Sequence, residues 1–189
     1  FEKNGTLPNM ICGSDARNIE TSDAPLWFAA CCSDLVRKEN SRNFLDRDLD
    51  GRTVRQILLS IGNSILEGTL TGVITDPDTC LVYSPSHFTW MDTNFPAGSP
   101  RQGYPVEIQA LWIHALDFFS DIDPDHTDNW QARAGLARES VTALFYNEKA
   151  GYFSDCLHCG GPVGARNAQA DDALRPNQLF LFTLDVITD

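Results

Sequence analysis

The segment YPVEIQALWIHALDFFSDI, residues 104–122, decides the fold. Pro105 stands where a helix would begin, and its fixed φ suits a first turn. The run that follows is apolar nearly all round, and a helix of that kind is buried on more than one side. We therefore predict that this helix forms the centre of the molecule.

Four further segments carry helical signals. Each has capping residues or a proline at its start, or repeats apolar residues every three or four positions, as an amphipathic helix does. Asp50 is a suitable cap for the second of the five helices in chain order. The four predicted helices cover about residues 22–38, 54–68, 127–147 and 176–186.

Two extended segments interrupt the helices. GVITDPDTCLVYS, residues 72–84, is predicted to form a short hairpin that turns at Asp76, Pro77 and Asp78. YFSDCLHCGG, residues 152–161, is predicted to form a short strand or an extended loop. There is no alternation of strands and helices, so we predict the all-α class, with helical hairpins arranged as a bundle, toroid or solenoid. The lack of a fixed-period repeat disfavours a solenoid.

Charge and hydropathy exclude several classes of partner. The 26 acidic residues against 14 basic ones give a net charge of −12, which repels nucleic acid and anionic membranes and favours a neutral ligand. No apolar run approaches the roughly 20 residues of a membrane span, and the N-terminus lacks a secretory apolar region. We expect a soluble, cytoplasmic protein without a cofactor. Because the chain begins with Phe1 and stops within an apolar segment, we also expect a fragment of a larger polypeptide.

Metal sites are weakly indicated. Asp46, Asp48 and Asp50 stand at the first ligand positions of a calcium loop, but the twelfth position is Ile57 in place of the bidentate acid. Cys156 and Cys159 have zinc-ligand spacing without the second pair that a structural site needs. We predict no metal, and calcium at the three aspartates remains an alternative.

Asp92 is the carboxylate best suited to acid catalysis. Glycoside hydrolysis needs one protonated acid for the leaving oxygen and a second carboxylate as base or nucleophile. Trp90 lies two positions away, where its ring could raise the pKa of Asp92 by desolvation and stack on a sugar ring. Taken alone, however, Asp92 is better explained as a loop residue that caps a turn.

Four short motifs resemble one known family. TWMDT at residues 89–93 and SPRQGYPVEIQALW at 99–112 resemble the signature of the amylo-α-1,6-glucosidase domain of glycogen debranching enzymes. TSDAPLWF at residues 21–28 and DDALRPNQLF at 171–180 resemble further parts of that domain, in the same order. The matches therefore span nearly the whole chain.

The resemblance implies a fold, a reaction and a set of site residues. It implies that residues 1–189 form a partial (α/α)6 toroid that hydrolyses α-1,6-glucosidic branch linkages of glycogen-like α-glucans with inversion. The catalytic base of the family lies further along its chain than the RPNQ motif. Asp92 would be the general acid, with Glu107 the next candidate for that role, and the residues implied to bind or orient the sugar are Asp23, Trp27, Trp90, Arg101, Glu107 and Trp112.

Departures from the family pattern keep alternatives open. The segments DRDLDG and CLHCGGPVGARNAQA do not belong to it, and Gln109 stands where asparagine is common, which leaves the linkage undecided. A second interpretation is a carbohydrate-binding or structural helical piece that lacks the second carboxylate. Such a half-toroid would expose its inner helix faces and could self-associate through them.

Overall fold

Helices dominate the computed structural model of the chain, which describes residues 1–91, 100–162 and 164–188. Three short 3₁₀ helices cover Asn43–Asp46, Ala165–Asn167 and Pro176–Leu179. The last of these runs directly into the final α-helix, so the predicted fifth helix exists but begins as a 3₁₀ helix. The α-helices are α1 (Ala24–Glu39), α2 (Val54–Glu67), α3 (Val106–Ile122), α4 (Thr127–Phe145) and α5 (Phe180–Thr183).

Helix α3 is the centre of the molecule, as predicted. Fourteen of its 17 residues are buried, and it contacts each of the other four α-helices. Trp112 lies fully inside, where its indole N–H donates to the carbonyl of Cys80 over 3.1 Å and its ring packs edge-on against Phe119. An indole can be buried at low cost when its N–H finds such an acceptor.

The cap of α2 differs from the prediction. Thr53, not Asp50, is the N-cap residue, and it forms a capping box in which its side chain accepts from the backbone N–H of Gln56. The Gln56 side chain in turn accepts from the backbone N–H of Thr53. Asp50 instead has a φ of 56° in the turn before the helix, so it lies too early in the chain to cap it.

The predicted hairpin is present as β3 (Ile74–Thr75) paired with β4 (Val82–Tyr83). Buried Gln109 fastens it to α3, because its side-chain oxygen accepts from the backbone N–H of Val82 over 2.7 Å. Its amide nitrogen donates to the carbonyl of the same residue over 2.9 Å. Gln109 thus pairs with the edge of the hairpin much as a neighbouring strand would.

Short strands outside that hairpin were mostly not predicted. The expectation of a strand in residues 152–161 is confirmed. Its partner strands were not predicted, because strands of two or three residues are too short to show an alternation of apolar and polar residues. The strands are β1 (Asp48–Leu49) with β2 (Arg52–Thr53), β6 (Tyr146–Asn147) with β7 (Tyr152–Phe153), and β5 (Gly103–Pro105), β8 (Cys156–His158) and β9 (Gln169–Asp171). The last three form an antiparallel sheet in the order β5-β8-β9.

Within the described ranges, no helix has both the length and the apolar character required to cross a membrane.

Candidate active site

Three helix starts and a long loop meet at one end of the molecule. The loop before β5 is tied to the start of α1, since the backbone N–H of Ser22 donates to the carbonyl of Phe88 over 2.7 Å. The start of α3 is tied to the segment between β7 and β8, since the N–H of Val106 donates to the carbonyl of Asp155 over 3.0 Å. The 3₁₀ helix before α5 joins the same place through Asn177, which donates to the Asp155 carboxylate over 2.7 Å.

Arg101 lies at the middle of this end with 1% of its surface exposed. Its guanidinium donates to both carboxylate oxygens of Glu107, and to Thr89 Oγ1 over 3.2 Å. It also donates to the carboxylate and the carbonyl of Asp155, over 2.8 Å and 3.1 Å. These bonds occupy all five N–H groups of an arginine side chain. Arg101 therefore has no donor left for a ligand.

The neighbouring charges form one network, the Arg101 cluster, which consists of Arg101, Glu107, Asp155, Arg175 and Asn177. The Arg175 side chain donates to the Asp155 carboxylate over 2.9 Å from a position nearer the solvent. Buried ions of opposite sign that share hydrogen bonds in this way satisfy the requirement that a buried charge be paired. The cluster thus joins three separate chain segments by charge-assisted bonds.

Burial and pairing act in opposite directions on these groups. Burial raises the pKa of the Glu107 carboxyl, and the hydrogen bonds and charge of Arg101 oppose that shift. Burial lowers the pKa of Arg101, but the hydrogen bond to Glu107 and the charge of Asp155 outweigh it, and the net direction is upward. Arg101 therefore stays charged, and Glu107 is held in place by two bonds.

The loop residues that face this cluster alternate between buried and exposed. Thr89 is buried, Trp90 exposes 55% of its surface, and Met91 is half-buried. The backbone N–H of Met91 donates to Thr89 Oγ1 over 3.3 Å, and the Asn177 amide contacts the Met91 sulfur at 3.2 Å. Trp90 is therefore presented to solvent between two anchored neighbours.

The start of α1 carries a second aromatic side chain. Trp27 is 38% exposed and packs edge-on against Phe180, with ring centroids 5.5 Å apart. Asp23 is buried directly before the helix, where it accepts from the hydroxyl of Thr21 over 2.6 Å. The start of α1 thus presents an aromatic side chain to solvent, while the acid that precedes the helix is buried.

Comparison with known proteins identifies the family. The sequence profile described as amylo-alpha-1,6-glucosidase matches residues 1–188. The chain belongs to the amylo-alpha-1,6-glucosidase family. No curated protein sequence matches this member of the family.

Two solved rhamnosidase structures share the fold of this amylo-alpha-1,6-glucosidase family member. A rhamnosidase from Klebsiella oxytoca, with rhamnose bound, has a TM-score of 0.58 and 12% identity over 98% of this chain and 32% of its own. A GH78 family rhamnosidase of Bacillus sp. GL1 has a TM-score of 0.60 and 14% identity over 89% of this chain and 16% of its own. The chain thus spans about a third and about a sixth of these proteins, and the likeness concerns the fold alone.

The structure brings together some of the predicted site residues of this family member. Arg101 and Glu107 are in direct contact within the Arg101 cluster. Asp23, Trp27 and Trp90 lie on the segments that meet at the same end. Trp112 lies apart from them in the core of α3, without an exposed face. Asp92 lies outside the described residues.

Two of the three residues predicted as a calcium alternative accept hydrogen bonds from the protein. Asp46 accepts from the guanidinium of Arg55 over 3.0 Å. Asp48 accepts from the backbone N–H of Gly51 over 3.1 Å. Across the three described ranges, no three His, Cys, Asp or Glu side chains are grouped so that they could hold a metal ion. Cys156 is buried and Cys159 is half-buried, and the Cys159 thiol donates to the carbonyl of Gly161 over 3.0 Å.

Three residues of the Arg101 cluster were not among the predicted site residues. Arg175 and Asn177 belong to the quoted RPNQ motif, which gave a signal for them without a role. Asp155 gave none, because it is 54 positions from Arg101 and precedes a cysteine pair that drew attention to metal binding. The pairing of β8 with β5 brings Asp155 to the start of α3.

Proposed function

We propose that this chain is part of an inverting glycoside hydrolase that cleaves α-1,6-glucosidic branch linkages in glycogen-like α-glucans, within an (α/α)6 toroid. Membership of the amylo-alpha-1,6-glucosidase family supports the linkage. The observation that carries the proposal is the convergence of three helix starts and the loop of Thr89 to Met91 on the Arg101 cluster, with Trp90 exposed at that end. This is the arrangement of a rigid floor beneath an aromatic sugar platform.

The proposed general acid is Asp92. It follows Met91 in the chain, and Met91 is anchored to the floor through Asn177 and Thr89. In the proposed reaction Asp92 gives its proton to the glycosidic oxygen as the bond to the anomeric carbon breaks. Trp90 would stack on the sugar and keep water from the acid, which favours the protonated form before the reaction.

Inversion requires a second carboxylate that removes a proton from water on the opposite face of the sugar. The two carboxyl groups of inverting enzymes are about 6.5–9.5 Å apart, to leave room for that water. We propose that the base lies C-terminal to the RPNQ motif, as the family resemblance implies. Glu107 fits neither role well, because both of its oxygens accept from Arg101 in a buried site.

Arg101 and Glu107 are proposed to act as positioning residues. Both are buried and bonded to each other, so their contribution to sugar binding is to hold the loop and the start of α3. Asp23 and Trp27 are proposed to contact the terminal glucose, since Trp27 is exposed and Asp23 lies at the start of the same helix.

Substitution of Asp92 tests this function. Glucose release from a branched limit dextrin is measured for the protein that carries this chain and for its Asp92→Asn variant. We expect a loss of about 100- to 10,000-fold in kcat, since a general acid contributes about 10²–10⁴-fold. Asp125→Asn, an exposed acid in the turn before α4, is the matched control and keeps full activity.

Binding measurements separate the alternative interpretation. If the unaltered protein binds the dextrin in calorimetry but releases no glucose, it is a carbohydrate-binding piece and the enzymatic proposal is wrong. If the Asp92→Asn variant keeps its activity, the acid lies elsewhere and the role of Asp92 is refuted.

A further inference from the structure

Two series of contacts, which we call the two arms, run from the carboxylate of Asp155 to the loop that carries Trp90. Asp155 lies between β7 and β8 and is buried. Its carboxylate accepts from Arg101 Nε over 2.8 Å, from Arg175 Nη1 over 2.9 Å and from Asn177 Nδ2 over 2.7 Å. A carboxylate with three charged or amide donors in a buried site is held in a single position.

The first arm runs through Arg101. With Nε fixed by Asp155, the guanidinium plane is fixed too, and Nη1 then donates to Thr89 Oγ1 over 3.2 Å. Thr89 accepts from the backbone N–H of Met91 with the same hydroxyl oxygen, over 3.3 Å. The position of the Asp155 carboxylate thus determines where this turn of the loop can lie.

The second arm runs through Asn177. Its side-chain nitrogen contacts both the Asp155 carboxylate at 2.7 Å and the Met91 sulfur at 3.2 Å. The amide oxygen of Asn177 is buried and has no hydrogen-bond partner. Because this oxygen has no hydrogen bond that fixes it, the orientation of the amide is maintained by the two contacts of its nitrogen.

The two arms hold the residues on either side of Trp90. Arg101 contacts Thr89 and Asn177 contacts Met91, while the indole of Trp90 between them is exposed to solvent. We propose that Asp155 is a positioning residue for sugar recognition: it never touches the glucan, but it sets the position of the Trp90 platform through Arg101 and Asn177. This inference rests on the proposed function for its substrate, and on the contacts of the described residues for its mechanism.

Oxidation of methionine provides a test that does not depend on activity. The chain has two methionines, Met91 on the second arm and Met10, which is 61% exposed and far from the cluster in sequence. Dilute hydrogen peroxide converts exposed thioethers to sulfoxides, and peptide mapping by mass spectrometry gives the rate at each site. Met10 therefore serves as an internal reference in the same sample.

The first variant is Asp155→Asn, which keeps the shape of the side chain but replaces the charged carboxylate by a neutral amide opposite three hydrogen-bond donors. We expect Met91 to oxidise about tenfold faster, as the loss of one charge-assisted hydrogen bond eases local opening by that factor, while the rate at Met10 is unchanged. The matched control is Asp171→Asn, which removes the other carboxylate bound to Arg175 but has no bond to either arm. An unchanged Met91 rate in Asp155→Asn overturns the proposal, as does equal acceleration in the control.

A second variant covers the case in which Asp155→Asn does not fold. Asn177→Ala cuts only the second arm and leaves the bond between Asp155 and Arg101 in place. We expect the same acceleration at Met91, with the far-UV circular dichroism of the unaltered chain. A folded Asn177→Ala protein with the original Met91 rate refutes the arm through Asn177.

Kinetics on the branched dextrin separate positioning from a loss of folded protein. A displaced Trp90 weakens binding of the sugar, so KM rises about tenfold or more in Asp155→Asn, whereas a smaller folded fraction lowers apparent kcat and leaves KM unchanged. An unchanged KM contradicts the positioning role. If the unaltered protein has no activity, the proposed function fails, and the Met91 rates still decide whether Asp155 holds the loop.

Discussion

Replacement of Arg101 by lysine tests how much the buried cluster contributes to stability. Lysine keeps the positive charge and the same backbone demands, including the left-handed φ of 48° at this position. However, an ammonium group offers three donors where the guanidinium uses five, so at least two of the bonds to Glu107, Asp155 and Thr89 are lost. Bonds that involve charged groups contribute about 1.5–3 kcal/mol each. We therefore expect Arg101→Lys to lower the free energy of unfolding by about 3–6 kcal/mol.

Chemical and thermal unfolding measure this difference. For a chain of this length, about 3–6 kcal/mol corresponds to a fall in Tm of about 6–24 °C. Arg175→Lys is the control, because the Arg175 side chain is partly exposed and water can replace its lost bonds. A variant of Arg101 within about 1 kcal/mol of the original protein would show that the network does not stabilise the fold, since solvent-exposed ion pairs alone give such small values.

The remaining predictions concern thiols and acid stability. Cys12 and Cys31 are exposed and should react with Ellman's reagent in the folded chain, whereas burial raises the pKa of Cys32 to about 12, so that thiol should react only after unfolding. Equal reaction of all thiols before denaturation would contradict the packing of α1. Burial alone would raise the pKa of the Asp171 carboxyl. The hydrogen bonds from Arg175 outweigh this effect, so the pKa of Asp171 lies below its usual value. The ionised Asp171 carboxylate therefore stabilises the fold above its unfolded pKa of about 3.9, and this stabilisation is lost as the pH falls through the folded pKa. We expect Asp171→Asn to flatten the dependence of the free energy of unfolding on pH in that range.

The helices were predictable because each carries a periodic or capping signal over many residues. The predicted second and third helices end within one residue of α2 and α3, and the hairpin at residues 74–83 follows from its turn chemistry. The sheet β5-β8-β9 was not predictable, because each of its strands has only three residues and β5 pairs with β8 across more than 50 positions. Local propensity has no information about such pairing, and the decisive contact of Asp155 with Arg101 depends on it.

The residues of the family motifs are either buried or exposed in the structure. This difference explains why a short motif can identify the family without showing which of its residues contact a ligand. Arg101, Glu107 and Trp112 are charged or aromatic, which favours a ligand-binding interpretation from sequence, but all three are buried and bonded within the protein. A buried guanidinium with five internal bonds cannot also bind a sugar without giving up bonds that are costly to lose. In the proposed function, recognition of the sugar therefore falls to the side chains that these buried residues leave exposed, and Trp90, anchored on both sides, is the clearest of them.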